Sequence, residues 1–541
     1  MDVSNRQGKP PTLRGEDPDM PHVANRQIRG DKPTRLPQGP GMRPYCAFPG
    51  NPVQAPGLSP ALHTVPLRLA LIGCCLVIAH AVHAVSLPKV TVSPDGRGFV
   101  DAKGAPFRPF GVTYFRPGTG WAPQVWKQFD PDATRADFLK LKKLDGNCAR
   151  VFLTYGSFHT QPGVLNPEAL ERFDRFLVLA EEAGIYVHPT GPDHWEGLPE
   201  WAKGDRIADE EILKSTEAFW RLFAKRYRGR AVIFAYDLLN EPEVGWDTPA
   251  LRTKWAAWVR KKYGSDSQKA LQAWGRTVPD AAVPIPIPIP ITPPDRKTPP
   301  GLELADYQRF REDIAEDWTR RQVVAIHEAD PAALVTAGLI QWSVPIYIGS
   351  SAQYSGFRPE RLAPLLDFME IHFYPLATGF YEYRGADDEE KNLAYLECLA
   401  REAGRFKRPL VIAEFGWYRG GRPTIDNGRH PFIPEEQQAR WNRRAIETSA
   451  PWACGWLNWS FHDHPQAGDV TEFIGLLGAD GHEKASGRDF QKLAGELGEI
   501  TGRTKGNEDR PALDWDRAII DPAVRSVFIE GYLKAWRAAH H

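Results

Sequence analysis

Eight short apolar runs recur along this chain, and most of them are followed by a helical period. The runs cover 107–114, 147–153, 185–189, 231–239, 334–338, 368–372, 410–414 and 455–459. Parallel strands covered on both faces read as continuous apolar runs rather than as alternating ones. Helical periods are expected over 132–144, 212–227, 304–328, 392–403, 434–449 and 490–497. Another opens at Asn166-Pro167, an N-cap followed by proline at the first helical position, and stops at Gly184. Strands alternating with helices in this number predict an α/β fold, a (β/α)8 TIM barrel. In that architecture the functional groups lie past the C-terminal ends of the strands.

Two of the runs end in a glutamate. One is Tyr236-Asp237-Leu238-Leu239-Asn240-Glu241-Pro242, the other Pro409-Leu410-Val411-Ile412-Ala413-Glu414-Phe415-Gly416. A carboxylate where a buried strand runs out is held rigidly at the edge of a core. Glu241 and Glu414 fall on strands four and seven, so they are expected to face each other across the rim. Paired carboxylates about 5–5.5 Å apart are the arrangement of retaining glycoside hydrolysis. One must hold a proton near neutral pH while the other is ionised, so their environments must differ. Arg150, at strand two, beside Glu414 would keep that carboxylate anionic. The other strand ends place Tyr114, Asp193-His194-Trp195, Gln341-Trp342, His372, Tyr374, Trp417 and Trp459 on the same rim.

Composition narrows the classes. The 541 residues carry a formal net charge of −1, which leaves no electrostatic footprint for nucleic acid or an anionic membrane surface. Eighteen tryptophans suit a sugar-binding cleft, because pyranose faces are apolar and stack on flat rings, although many will be core. Of six cysteines, only Cys148, Cys398 and Cys454 fall in the part expected to fold as the barrel. They read as free buried thiols, and no spacing suggests a metal site. His462-Asp463-His464 looks like a metal cluster, but three adjacent residues cannot all point one way, so a loop is expected there.

Outside the barrel, residues 1–64 are rich in Pro, Gly, Arg and Asp without an apolar period and are expected to be disordered. Residues 65–84 then read as a signal peptide, with Arg68 before an apolar core and Ala84 at the cleavage site. The run is short for a membrane span, although an uncleaved anchor is the alternative. Its position suggests a translation start assigned too early, with the true start near Val65 or Leu67. The catalytic unit is expected over 88–500, opened by a short hairpin between 90 and 109. An insertion at 246–300 follows strand four. It holds the Pro-Ile repeat of 283–291, which proline forces into an extended strap. Residues 501–541 read as a linker and a closing helix.

The set Arg150, Asn240-Glu241-Pro242, His372-Phe373-Tyr374, Glu414-Phe415-Gly416 and Trp459 resembles the retaining clan typified by glycoside hydrolase family 5, the cellulase family. The likeness runs from about 90 to 500. The segment from Trp255 to Gly264, with Leu271-Gln-Ala-Trp274-Gly275, is similar to family 42 β-galactosidases of the same clan. The resemblance implies Glu241 as acid/base and Glu414 as nucleophile. It implies Asn240 on the sugar 2-hydroxyl, Arg150 and Tyr374 orienting Glu414, His372 lining the subsite and Trp459 beneath the reacting sugar. Tyr114, Trp195 and Trp417 are further candidates for sugar contacts. The family's histidine at the end of strand three has no clear counterpart, since His188 and His194 both sit off the expected offset. A retaining β-glycosidase acting on a β-linked glucan, mannan or galactoside is therefore expected, with an oligo- or polysaccharide as partner and no cofactor. A glycan-remodelling transglycosylase and a non-catalytic glycan-binding barrel are the alternatives.

Overall fold

The computed structural model describes residues 87–119, 122–276, 294–375, 385–417, 433–465, 467, 472–502 and 509–540. The disordered extension, the signal segment and the Pro-Ile strap expected from sequence lie outside these residues.

Eight parallel strands close into a barrel: β4 (Phe110–Thr113), β5 (Cys148–Thr154), β6 (Tyr186–Asp193), β7 (Tyr236–Asn240), β8 (Val335–Leu339), β9 (Met369–Phe373), β10 (Leu410–Phe415) and β11 (Gly455–Asn458). They follow one another around the barrel in chain order, and β11 pairs with β4. The eight expected strands are therefore present. The fourth is shorter than its apolar run, because residues 231–232 form a turn closed by Ile233 N–H to Arg230 O and Ile233 pairs with Val187 only as an isolated bridge before β7 begins.

Several of the helices start at side-chain caps. Asp130 accepts from the N–H of Asp132 and Ala133 ahead of Pro131–Lys143. Asn166 caps Pro167–Ala183, and Gly184 leaves that helix in the left-handed conformation at φ 71°. Asp209 caps Glu210–Tyr227. These helices form the outer layer, packed on the barrel through a core of aromatic and aliphatic side chains.

A separate antiparallel sheet, β1 (Val90–Val92), β2 (Phe99–Asp101) and β3 (Pro106–Phe107), precedes the barrel. Phe99 packs edge-on against Phe234 and Phe368, at 5.1 and 5.2 Å. Both partners lie at the N-terminal ends of their strands, so this sheet stoppers the end of the barrel opposite the rim. In the described part of the insertion, Trp255 stacks on Trp258 and Trp274 and packs against Tyr307 and Phe310 of the long helix Leu302–Ala329. The C-terminal helices Trp515–Ile520 and Pro522–His540 are tied down by Arg358–Asp516 (2.7 Å) and Arg510–Glu397 (2.6 Å). Cys148, Cys398 and Cys454 are free, as expected.

Candidate active site

The barrel interior is tiered. Cys148, Phe234, Leu334, Phe368, Val411, Ala413 and Leu457 make an apolar tier over Phe99. Interiors of such barrels are usually filled by branched apolar side chains throughout. Here the next tier is charged: Arg150, His188, Asp237 and Glu370 are all fully buried. Buried charges persist only when paired, and each of these has its partner. Arg150 donates from Nη2 to Asp237 (2.9 Å) and from Nη1 to Glu414 (2.6 Å). Asp237 also accepts from Thr190 Oγ1 (2.8 Å) and from the N–H of Gly338 (2.7 Å). His188 sits between Ala235 O (3.0 Å) and Glu370 Oε2 (2.8 Å).

The same contacts set the ionisation. Burial works against the Arg150 guanidinium, but Glu414, Asp237 and Glu370 together hold it firmly protonated. Burial would raise the Glu370 carboxyl, yet His188, His372 and Arg150 outweigh it and hold that group well below the usual carboxylate range. Asp237 moves the other way, raised by burial and by the Glu370 charge.

The rim carries the two glutamates. Glu241 closes β7 with φ of 48°, a left-handed conformation that costs a non-glycine residue of order 1–3 kcal/mol. Its N–H is pinned to Gly338 O at 2.8 Å, which holds the turn. Its side chain is 28% exposed, and His372 Nδ1 stands 3.1 Å from it. Glu414 is nearly enclosed: Arg150 holds one oxygen and the Tyr374 hydroxyl donates to the other at 2.8 Å. Burial raises its carboxyl, with the His372 and Arg150 cations acting against that. His372 Nδ1 lies 3.6 Å from Glu414 as well, and one oxygen of each glutamate lies within 4.8 Å of the other. Burial disfavours the His372 cation, but Glu414, Glu241 and Glu370 around it lift its pKa to about 10. Asn240 Oδ1 accepts from Arg150 at 2.9 Å, which leaves its amide N–H groups free of that bond.

Trp459 lies beside this pair in a rim cluster with Phe115, Phe152, Tyr374 and Ile474, and Trp195 packs on its edge. Two expected residues are not brought here. Tyr114 points outward, its hydroxyl donating to Asp137 at 3.1 Å, and it packs on Phe138 and Phe176. Trp417 packs on Trp441 of the helix Glu435–Ser449, at 4.9 Å. Both follow strands whose last residues alternate in direction, so a place at a strand end does not by itself aim a side chain at the axis. The triplet expected to be a loop does point three ways. His462 faces Asp137 (3.3 Å), Asp463 pairs with Lys484 (2.8 Å) and His464 stacks on Phe115 (4.3 Å).

Sequence reasoning passed over Asp237 and Glu370. The available signal was a lone carboxylate inside an otherwise apolar strand run, in Tyr-Asp-Leu-Leu and Met-Glu-Ile-His. Two trios have ligand-type atoms within 4.8 Å of one another: His188, Asp237 and Glu370, and Glu241, His372 and Glu414. The first is served by the Arg150 guanidinium and the second has the His372 imidazole as its own cation, so neither donor set calls for a metal ion.

Comparison with known proteins agrees with this fold. Curated relatives match part of the chain. A protein of Oryza sativa subsp. japonica, provisionally named mannan endo-1,4-beta-mannosidase 9, is 22% identical over 299 residues, 49% of this chain and 56% of its own length. The chain thus spans about half the length of that relative. Among solved structures, a GH5_18 variant from Streptomyces cattleya in complex with Manβ1-4GlcNAc superposes with a TM-score of 0.54 at 21% identity, over 80% of this chain and 93% of that one. A β-galactosidase of the haloarchaeon Halorubrum lacusprofundi gives 0.55 at 16% identity, over 76% and 62%. The description "Cellulase (glycosyl hydrolase family 5)" matches residues 100–465, and with more than half of its length so matched the chain belongs to glycosyl hydrolase family 5.

Proposed function

We propose that the protein is a retaining β-glycosidase that cleaves β-mannosides by double displacement. The observation that carries this reading is the approach of Glu241 and Glu414, with oxygens within 4.8 Å of each other. Carboxylates that close have no room for an attacking water between them, so the second must attack the sugar itself.

Glu414 is the nucleophile. Arg150 and Tyr374 each hold one of its oxygens, which favours the anion against burial and aims it along the axis. It displaces the leaving group at the anomeric carbon and forms a glycosyl ester. Glu241, the more exposed of the two, gives its proton to the leaving oxygen and then takes one from the incoming water. Asn240 is turned by Arg150 so that its amide N–H meets the sugar 2-hydroxyl. Trp459, on its bed of Phe115 and Phe152, forms the floor under the sugar ring. The choice of mannose rests on the relatives, one named for mannan hydrolysis and one seen with Manβ1-4GlcNAc. Residues 65–84 would export the enzyme; N-terminal sequencing of the protein outside the cell checks this.

The test is a panel of aryl β-mannoside, β-glucoside and β-galactoside, Manβ1-4GlcNAc and mannan, beside Glu414→Ala and Glu241→Ala. Cleavage of the mannosides with retained anomeric configuration, and loss of at least about a thousandfold in kcat for Glu414→Ala, is expected. Cleavage with inversion would overturn the mechanism, and preference for another sugar would overturn the substrate.

A further inference from the structure

Three buried polar atoms under the catalytic pair face one another without hydrogen-bonding: Arg150 Nε, His372 Nε2 and Glu370 Oε1. Arg150 Nε lies 3.4 Å and His372 Nε2 3.7 Å from that single oxygen. The other oxygen of Glu370 is taken by His188 at 2.8 Å, so the carboxylate cannot turn away from its neighbours. Glu370 and His372 are two residues apart on β9 and share the inward face of the strand. From β8, Gly338 leaves the space they need. A Cβ there would stand 3.1 Å from His372 Nε2, 3.2 Å from Arg150 Nη2 and 2.9 Å from Asp237 Oδ2. The imidazole is thus gripped from below by one charge and presents its other nitrogen to two.

We propose that Glu370 is a positioning residue of the reaction: its buried carboxylate holds His372 as a cation with Nδ1 turned to both Glu241 and Glu414, and so favours the ionised form of both. The proposal rests on the glycosidase reading of this site. The charged and titratable groups that face Glu370 are Cys148 and Arg150 from β5, His188 from β6, Asp237 from β7 and His372 from β9 itself, with Glu414 of β10 beyond Arg150 and His372. An imidazolium within about 4 Å of two carboxylates favours the ionised form of each. Without the Glu370 charge, His372 loses its proton at lower pH, and both glutamates lose the cationic neighbour that favours their ionised forms. The bell of activity against pH then moves to the alkaline side as a whole. Loss of shape alone would not do this.

Two measurements on the full chain decide it. In protein labelled with 15N-histidine, with His372→Asn used to assign the signal among 15 histidines, the His372 ring is expected to stay protonated beyond pH 8. In Glu370→Gln it is expected to titrate between pH 5 and 8, with both limbs of the kcat/KM profile moved up by about one pH unit and kcat lowered about 10- to 100-fold. A wild-type His372 that titrates near 6.5 overturns the proposal, and this arm stands even if Glu370→Gln fails to fold. So does a folded Glu370→Gln whose profile keeps its limbs and only melts earlier. If glycosides are cleaved and His372 is neutral, only this inference fails; if nothing on the panel is cleaved, the function fails and takes the inference with it.

Discussion

Arg150 and Tyr374 divide the two oxygens of Glu414 between them, one guanidinium bond and one hydroxyl bond. A hydrogen bond to a charged group is worth about 1.5–3 kcal/mol. Tyr374→Phe is therefore expected to lower kcat roughly 10- to 100-fold with little change in KM, measured on an aryl glycoside. Tyr114 makes the contrast. Its hydroxyl serves Asp137, on a helix behind the barrel wall. Tyr114→Phe should leave kcat/KM within about twofold and lower the melting temperature by a few degrees, since losing a buried hydrogen bond costs on the order of 1 kcal/mol. A large kinetic loss in a protein that melts normally would return Tyr114 to the site. At this scale the meeting of Arg150, Asn240, Glu241, His372, Tyr374 and Glu414 at one rim was legible: Asn240, Glu241, His372 and Glu414 end or just follow apolar runs, Tyr374 stands two residues past one, and Arg150 is the lone charge inside another. Tyr114 ends a run too and Trp417 stands shortly past one, but their side chains pack behind the barrel wall on Phe138 and Trp441.

Strand β8 contributes no charged group to the polar tier, yet the tier depends on it through Gly338. A methyl added there meets three functional atoms at 2.9–3.2 Å. Gly338→Ala should push His372 and Arg150 off their partners, with a fall of about tenfold or more in kcat while the far-ultraviolet circular dichroism is kept. Wild-type kinetics would show that the tier yields without consequence. At the opposite end, Phe99 of β2 is the stopper of the barrel. Phe99→Ala removes a fully buried ring and is expected to cost roughly 3–5 kcal/mol of stability, read by denaturant unfolding. Elements were the most legible level: all eight strands were found, and the helix after Asn166 starts at its expected cap and stops at Gly184. The helix Trp515–Ile520 was not, because its six residues are too few to show a period.

Taken whole, the molecule carries histidines of two opposite kinds. Among the described residues His159 and His464 are buried without an acidic partner, and burial pushes each down to about 3. A histidine depressed in the folded state contributes stability that is complete above its unfolded pKa and is lost as pH falls below it. His372 is raised to about 10, so its contribution is complete below about 6.5 and is lost as pH rises towards 10. Unfolding free energy should therefore fall by up to about 1.4 kcal/mol per pH unit for each group on its own side of 6.5. Denaturation at pH 5, 6.5 and 8.5 checks this. His464→Asn should make the acid side shallower and leave the alkaline side as it was. What the chain settled locally was the number of strands, their polarity and the two glutamates that end them, because apolar length, helical period and caps act over a few residues. What only closure of the barrel decided was which of those end residues face the axis. Register shifts between Asp237 and Asn240 and between Ile412 and Glu414 set the parity of β7 and β10 against their neighbours. In a structure of period two, one residue of shift sends a side chain to the other face. That is why Glu414 meets His372, and why Asp237 and Glu370 meet Arg150 inside the barrel.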